Sequence, residues 1–406
     1  MNYFVSFAYQ FDSTAVYKQL RFIILFFGMY FGMHSMAQSV LSFSESGLKS
    51  AFVQAKQQNK PVMLWCYATW CPHCKYMKAE VFSNQSVADY FNKNFICTAQ
   101  DMEKGEGIDL NKDIKISSFP TFIFYSPSGE MLYRVEGELK TATFIAEGKN
   151  ALNPVKQFPF LKRQFEKDVS NSVNCYTYVR ALRKAGMDVK TVVNQYFATQ
   201  NDKQLLSEIN WRIFTNGVSD FNSREFKFVI AHQKEYADIA SPERVRAKLN
   251  FEVKSLLSLL VETTDTINYP VKRKLAAQIH SYSTDSLLFN YDLQFYESTR
   301  NWQKYCETCL QSVKNYCWNN HTQLFDIATN FLKNIPTPEY LVQAEQWAQR
   351  SLSLNEKYDS YMLCARILKK LNNQSDALKM AEKAKNMARK FGWEGTEALD
   401  FIKSCQ

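Results

Sequence analysis

Residues Val62 to Ala68 read VMLWCYA, seven apolar or small side chains in a row. The chain then passes through Thr69 and Trp70 directly into Cys71-Pro72-His73-Cys74. A continuous apolar run of this length reads as a strand buried on both faces. Ahead of it, GLKSAFVQAKQQNKP (Gly47–Pro61) spaces Leu48, Ala51, Phe52 and Ala55 at helical intervals, and Pro61 ends that helix. After it, KYMKAEVF (Lys75–Phe82) reads as a helix. Strand, short loop, cysteine, helix places Cys71 at a helix N-terminus. There the unpaired N–H groups and the positive end of the dipole favour an anion, which for a cysteine is the thiolate.

The alternation continues. Ser86–Asn94 reads as helix, Phe95–Asp101 as strand and Asp109–Ile116 as a short helix. Thr121–Tyr125 and Met131–Glu136 read as two strands joined by a turn at Ser126–Gly129, and TATFIAEGKNAL closes with a helix. Strands and helices in this order, ending in a hairpin, predict an α/β domain with a mixed sheet flanked by helices.

WCPHCK after a buried strand, with SSFPTFIFY downstream, resembles the thioredoxin fold over roughly residues 40–152. WCPHCKYMKAEVFSNQSVADYFNKNFI is particularly similar to thioredoxin-like domains related to the C-terminal domain of the disulfide reductase DsbD. The resemblance implies that Cys71 attacks and Cys74 resolves. It makes Pro120 a cis-proline facing the two sulfurs and Phe119 the residue offering its backbone to an incoming peptide. Trp70 and Pro120 then shape the site, and His73 with the helix N-terminus stabilises the thiolate. Two departures stand out. Trp65 occupies the place where thioredoxins usually carry an acid, so proton handling at Cys74 needs another group, with Glu80 a candidate. The Pro-His dipeptide is that of the strong oxidant DsbA, at about −120 mV against about −270 mV for thioredoxin. Yet there is no room between Phe95 and Pro120 for the helical insertion of DsbA. Motif and framework therefore point opposite ways, and the direction of electron flow stays open.

Other chemistries fit this C-x-x-C less well. A zinc site needs four ligands, and Cys66 and Cys97 fall in predicted strands; no metal or cofactor is expected. A purely structural disulfide would close too small a loop to stabilise much. At the N-terminus, Lys18 and Arg21 precede the apolar stretch Phe22–Met33 and the small residues Ser35 and Ala37. These are the parts of a secretory signal, giving 1–37 as signal peptide with cleavage after Ala37; an uncleaved anchor is the alternative. Export, to a bacterial periplasm, follows from either. Ten cysteines in 406 residues are too sparse for a disulfide scaffold.

Residues 38–153 make up the thioredoxin-like domain and 154–406 an all-α region. Charge balances in the first, with 12 basic and 12 acidic residues over 38–152, whereas 153–406 carries 35 against 27. That surplus is spread along the region and no nucleic-acid motif accompanies it, so nucleic acid is not an expected partner. Helical runs break near Gly186, Gly217, Ser241-Pro242, Tyr269-Pro270, Asn319-Asn320 and Ile335–Pro338. AEQWAQRS (Ala344–Ser351) and ALKMAEKA (Ala377–Ala384) each place small residues seven apart, and the two lie 33 residues apart. With Tyr361, Cys364, Ala365 and Leu368 between them, residues 320–390 resemble tetratricopeptide repeats, which implies a groove for a protein partner. A second C-x-x-C, Cys306 and Cys309, has no preceding strand and no facing proline loop. Two small residues on one helix face account for it. Cys175, Cys364 and Cys405 carry no assignment, and His280 and His321 read as structural. The expected function is an exported thiol–disulfide oxidoreductase acting on protein or peptide thiols and disulfides, with a membrane electron donor or acceptor. The alternative is a helical scaffold whose thioredoxin-like fold only docks.

Overall fold

A computed structural model describes residues 40–44, 47–335 and 337–405; the expected signal segment lies outside these. The chain divides into two compact units, the first closing at Thr191 and the second opening at Val192.

In the first unit, α1 (Gly47–Gln58) leads to β1 (Val62–Tyr67), α2 (Pro72–Tyr76), a π-helical turn at Met77–Val81 and α3 (Gln85–Asn94). Then come β2 (Ile96–Asp101), α4 (Glu106–Ile114), β3 (Thr121–Tyr125), β4 (Met131–Glu136), α5 (Thr141–Leu152), α6 (Phe158–Lys167) and α7 (Ser172–Lys184). The sheet order is β2-β1-β3-β4, with β1 parallel to β2 and antiparallel to β3. The apolar run of β1 is explained by this central place. Met63 and Trp65 enter a core with Phe82, Phe91, Phe122, Phe124 and Phe144 on one face. Val62, Leu64 and Cys66 pack with Ala51, Ala55, Ile123 and Tyr125 on the other. Successive strand residues point to opposite faces, so a strand covered on both must be apolar throughout. The expected single helix over 75–82 is instead α2 continued by the π turn, in which Phe82 N–H reaches the Met77 carbonyl at 2.9 Å. The wider turn keeps both Met77 and Val81 buried. The short helix expected at 109–116 starts earlier, at Glu106, and ends at Ile114.

α6 and α7 pack against β4, so the helices just past the α/β domain are part of its unit. A buried polar cluster fastens them. Lys184 Nζ of α7 lies 2.7 and 2.8 Å from the two Glu147 carboxylate oxygens of α5 and donates to Tyr133 Oη of β4 at 2.9 Å. Tyr133 in turn donates to Glu147 at 2.5 Å. Burial works against the Glu147 charge, but the hydrogen bonds from Lys184, Tyr133 and Asn150 outweigh it and hold its carboxyl below the usual value of 4.5. Past α7, Gly186 (φ +63°) comes so close to β4 that a Cβ would stand 2.3 Å from Glu136 Oε2.

The second unit is all-helical. The boundary falls within α8 (Lys190–Phe197); α9 (Asp202–Leu205), α10 (Glu208–Gly217), α11 (Arg224–Ala231) and α12 (Gln233–Ile239) follow. Four helix pairs come next: α13 (Pro242–Glu262) with α14 (Asn268–Ala276), α15 (Tyr282–Ser298) with α16 (Trp302–Tyr316), α17 (His321–Asn334) with α18 (Pro338–Leu354), and α19 (Tyr358–Lys370) with α20 (Gln374–Lys390). α21 (Thr396–Lys403) closes the array against α20. The small residues Ala344, Ser351, Ala377 and Ala384 are fully buried, which lets α18 and α20 approach their neighbours closely. Upstream, three side-chain contacts join residues at the same sequence separation. Asn250 donates to Ser283 at 2.7 Å and Gln323 to Asn290 at 2.6 Å, and the hydroxyls of Ser258 and Tyr291 lie 2.9 Å apart, each pair 33 residues apart in sequence. Pro270, expected at a break, sits inside the first turn of α14, where its missing N–H costs nothing.

The Glu147 carboxyl is held below 4.5 in the folded unit, so it stabilises the fold above that pH and the contribution is lost as pH falls through the lowered folded value. Glu147→Gln is therefore expected to reduce hydrogen-exchange protection of the β4 amides at pH 7, by about 1–3 kcal/mol once the half-exposed Lys184 is allowed for. At pH 3 the gap between variant and wild type should shrink. An equal gap at both pH values would mean that the ion pair is not what fastens α7.

Candidate active site

The site forms where β1 ends and α2 begins. Cys71 is the N-cap of α2 with extended backbone (φ −67°, ψ 116°), and Pro72 takes the first helical position. A proline there has its φ already set and no N–H to leave unpaired. The Cys71 sulfur performs the capping role usually given to an oxygen, accepting the Cys74 N–H at 3.2 Å. Two backbone bonds also hold the turn, from Cys71 N–H to the Ala68 carbonyl and from Lys75 N–H to the Cys71 carbonyl, each at 3.2 Å. The sequence CPHC is thus its own helix start, and it points the Cys71 sulfur along the helix N-terminus.

The loop before β3 lies opposite. The Phe119–Pro120 peptide bond is cis, and the Cys71 thiol donates to the Phe119 carbonyl at 3.6 Å. Both thiols are nearly covered, Cys71 2 % and Cys74 3 % exposed. Burial and then a hydrogen bond with Cys71 push the Cys74 thiol up to about 12. Among the described residues, no carboxylate contributes to the shift of Cys74. Trp65, at the place of the usual acid, is buried and stacked on Tyr67 at 4.6 Å. Glu80, the sequence candidate for proton handling, is exposed on the outer side of the π turn and is not among the groups that bear on Cys74. The structure therefore corrects that expectation.

The rim is aromatic and charged. Trp70 is 62 % exposed and meets Phe119 edge to face, ring centres 6.2 Å apart. Its indole N–H donates to Glu103 at 2.6 Å, and Lys104 in the same loop donates to Thr69 at 3.2 Å. His73 Nδ1 lies 2.8 Å from a Glu138 carboxylate oxygen. Neither Glu103 nor Glu138 was legible as a site residue, because each arrives from a loop 33 or 65 residues away.

Arg134 was also missed. It is only 2 % exposed and donates to the Ile114 carbonyl at 2.9 Å and to Glu136 at 2.5 Å. Glu136 accepts the Ser118 hydroxyl at 3.1 Å. Arg134 and Glu136 thereby brace the segment between α4 and Pro120 from beneath. An arginine in a strand otherwise facing a core was the available signal.

The remaining cysteines lie apart. Cys66 and Cys97 are buried in strands, their thiols pushed up by burial. Cys306, Cys309, Cys317 and Cys364 share a core with Phe331 and Trp347. Burial raises all four, Cys317 and Cys364 to about 12. A thiol held protonated in an apolar core is a poor nucleophile.

Residues 48–152 match the family of thioredoxin-like domains. Over 87 residues the chain is 34 % identical to the thiol:disulfide interchange protein DsbD of Vibrio cholerae, covering 21 % of this chain and 14 % of that protein. Over 102 residues it is 32 % identical to the protein of the same name from Salmonella typhi, 24 % and 18 % of the two lengths. The chain thus spans less than a fifth of these relatives. Among solved structures, a candidate disulphide-isomerase from Bacteroides thetaiotaomicron is 35 % identical across 29 % of this chain and 98 % of that one, with a TM-score of 0.27.

Replacing Arg134 with Met would strand the Ile114 carbonyl and the Glu136 carboxylate. Urea unfolding of the first unit should then show a loss of about 3 kcal/mol. A loss under about 0.5 kcal/mol, the usual range for surface changes, would show that the loop is held by something else.

Proposed function

Residues 48–152 belong to the thioredoxin-like family, and from that premise we propose that the chain is an exported thiol–disulfide oxidoreductase acting on protein or peptide substrates. The observation that carries the reading is the Cys71 sulfur, set at a helix start with the Cys74 N–H on one side and the Phe119 carbonyl on the other. The Cys71 thiolate attacks one sulfur of a substrate disulfide. A Cys71–substrate S–S bond forms, the substrate's own S–S bond breaks, and its other sulfur leaves as a thiolate that takes up a proton. Cys74, losing its proton, then attacks the Cys71 sulfur, closing the Cys71–Cys74 disulfide and releasing the second substrate thiol. Two electrons have passed to the substrate; the same steps in reverse oxidise a dithiol. A second dithiol or disulfide partner resets the pair.

The surroundings fit unequal roles. Cys71 adjoins the exposed Trp70–Phe119 rim, where a substrate strand would lie, and the Phe119 carbonyl would be available to it once Cys71 is ionised. Cys74 lies inward, its thiol pushed up to about 12 by burial. At neutral pH it is thus kept from premature attack until the mixed disulfide forms beside it. Export rests on the charged and apolar N-terminal segment, outside the described residues. Among those described, no helix is long and apolar enough to cross a membrane. In this reading the helical array holds the protein partner.

Three outcomes test the assignment. Cys71→Ser should reduce disulfide exchange with a peptide disulfide to background. Cys74→Ser should accumulate mixed disulfides that disappear on reduction. In the reduced wild type at pH 7, alkylation should label Cys71 and leave Cys74 unreacted, because a thiol at about 12 is ionised in only about one molecule in 10⁵. Peptide mass spectrometry reads the last, and preferential labelling of Cys74 would reverse the two roles.

A further inference from the structure

We propose that Glu138 is a positioning residue that sets the redox poise of the Cys71–Cys74 pair, holding it more reducing than a Pro-His dipeptide would otherwise make it. The inference rests on the oxidoreductase reading and deepens it.

Glu138 is not a freely placed surface acid. It stands in the short connection between β4 and α5, and the backbone on each side is pinned to the site. Gly137 N–H donates to the Pro120 carbonyl at 2.8 Å, so the residue before Glu138 is tied to the cis-proline loop. Leu139 N–H points at the Met77 sulfur, 3.3 Å away, so the residue after it is tied beneath the C-terminal end of α2. Between these anchors the Glu138 carboxylate meets His73 Nδ1 at 2.8 Å.

Charge bookkeeping gives the sign when His73 keeps the same protonation state with and without the carboxylate. With Glu138 in place, the His73–Glu138 pair carries a charge of 0 or −1; without the carboxylate it would carry +1 or 0. At any one protonation state of His73, Glu138 therefore makes the surroundings of α2's first turn one charge more negative. Only the reduced form carries a Cys71 thiolate, so negative charge there disfavours the reduced form and lowers the potential. Among the described residues, Cys74 and Lys75 follow on the same helix, and Glu103 and Lys104 stand in the loop after β2. Glu103 is engaged with Trp70, and Lys104 with Thr69 and Asp101. Lys75 is exposed. Glu138 is thus the acid bound directly to the dipeptide.

The test is the equilibrium constant of the full-length chain with glutathione, read by Trp fluorescence, for wild type, Glu138→Gln, His73→Ala and the double variant. The His73 side chain is 63 % exposed, so screening limits the effect. Glu138→Gln should shift the constant about fivefold toward the oxidising side, about 20 mV on the scale where tenfold is 29.6 mV. The shift should shrink in 1 M salt. The pH midpoint for Cys71 alkylation should fall in the same variant. In the His73→Ala background, where the carboxylate loses its anchor, the substitution should change the constant by less than twofold. An unchanged or more reducing Glu138→Gln variant beside a normally titrating wild type overturns the assignment, as does an undiminished effect in the His73→Ala background. A wild type that does not titrate at all overturns the oxidoreductase reading as well.

Discussion

The hydrogen bond from the Cys74 N–H to the Cys71 sulfur, 3.2 Å long, joins the fold to the chemistry. It begins α2, since the sulfur caps an N–H that would otherwise be unpaired. It also aims the sulfur at the helix N-terminus, where backbone dipoles favour negative charge. Everything around it serves to hold that geometry. β1, buried on both faces, delivers the chain to the C-terminal end of a central strand at a fixed place, and Pro72 makes the turn immediately helical. The cis-proline loop closes the space opposite, so the Cys71 thiol meets one carbonyl, that of Phe119.

Support for that loop comes from beneath and from far along the chain. Arg134 and Glu136 of β4 brace the backbone ahead of Pro120, and Gly186 packs against the Glu136 carboxylate. Lys184, two residues earlier, closes the cluster with Glu147 and Tyr133. The segment past the α/β domain thus shares β4 with the site: Lys184 meets Tyr133, and Gly186 meets Glu136, which also underlies the active loop. Buried ionic contacts contribute little net stability but lose much when one partner is removed, so their main effect here is to fix how α7 docks.

Most of the α/β architecture was legible because it rests on local rules. The two-sided burial of β1 dictates its unbroken apolar run, the hairpin β3–β4 has a turn at Ser126–Gly129, and CPHC writes its own cap. Less legible were features that depend on what a side chain meets. Glu80 looked suited to handle the Cys74 proton, being nearby in sequence, yet the π turn carries it outward. In the helical unit the regularity legible in the sequence was the recurrence of small residues at Ala344, Ser351, Ala377 and Ala384, all of which are buried. Further upstream, Asn250 with Ser283 and Asn290 with Gln323 are joined by hydrogen bonds that no likeness of side chain announces.

The sequence by itself determined the strand, the helix start and the placing of two thiols three residues apart, because spacing of that order is fixed by backbone geometry alone. Tertiary structure decided the electrostatic surroundings of those thiols. Burial raises Cys74, Glu103 holds the Trp70 indole, and Glu138 reaches His73 from 65 residues away. Charges act through space and fall off with distance rather than with sequence separation, so the groups that tune the pair could be identified only once the chain had brought them together.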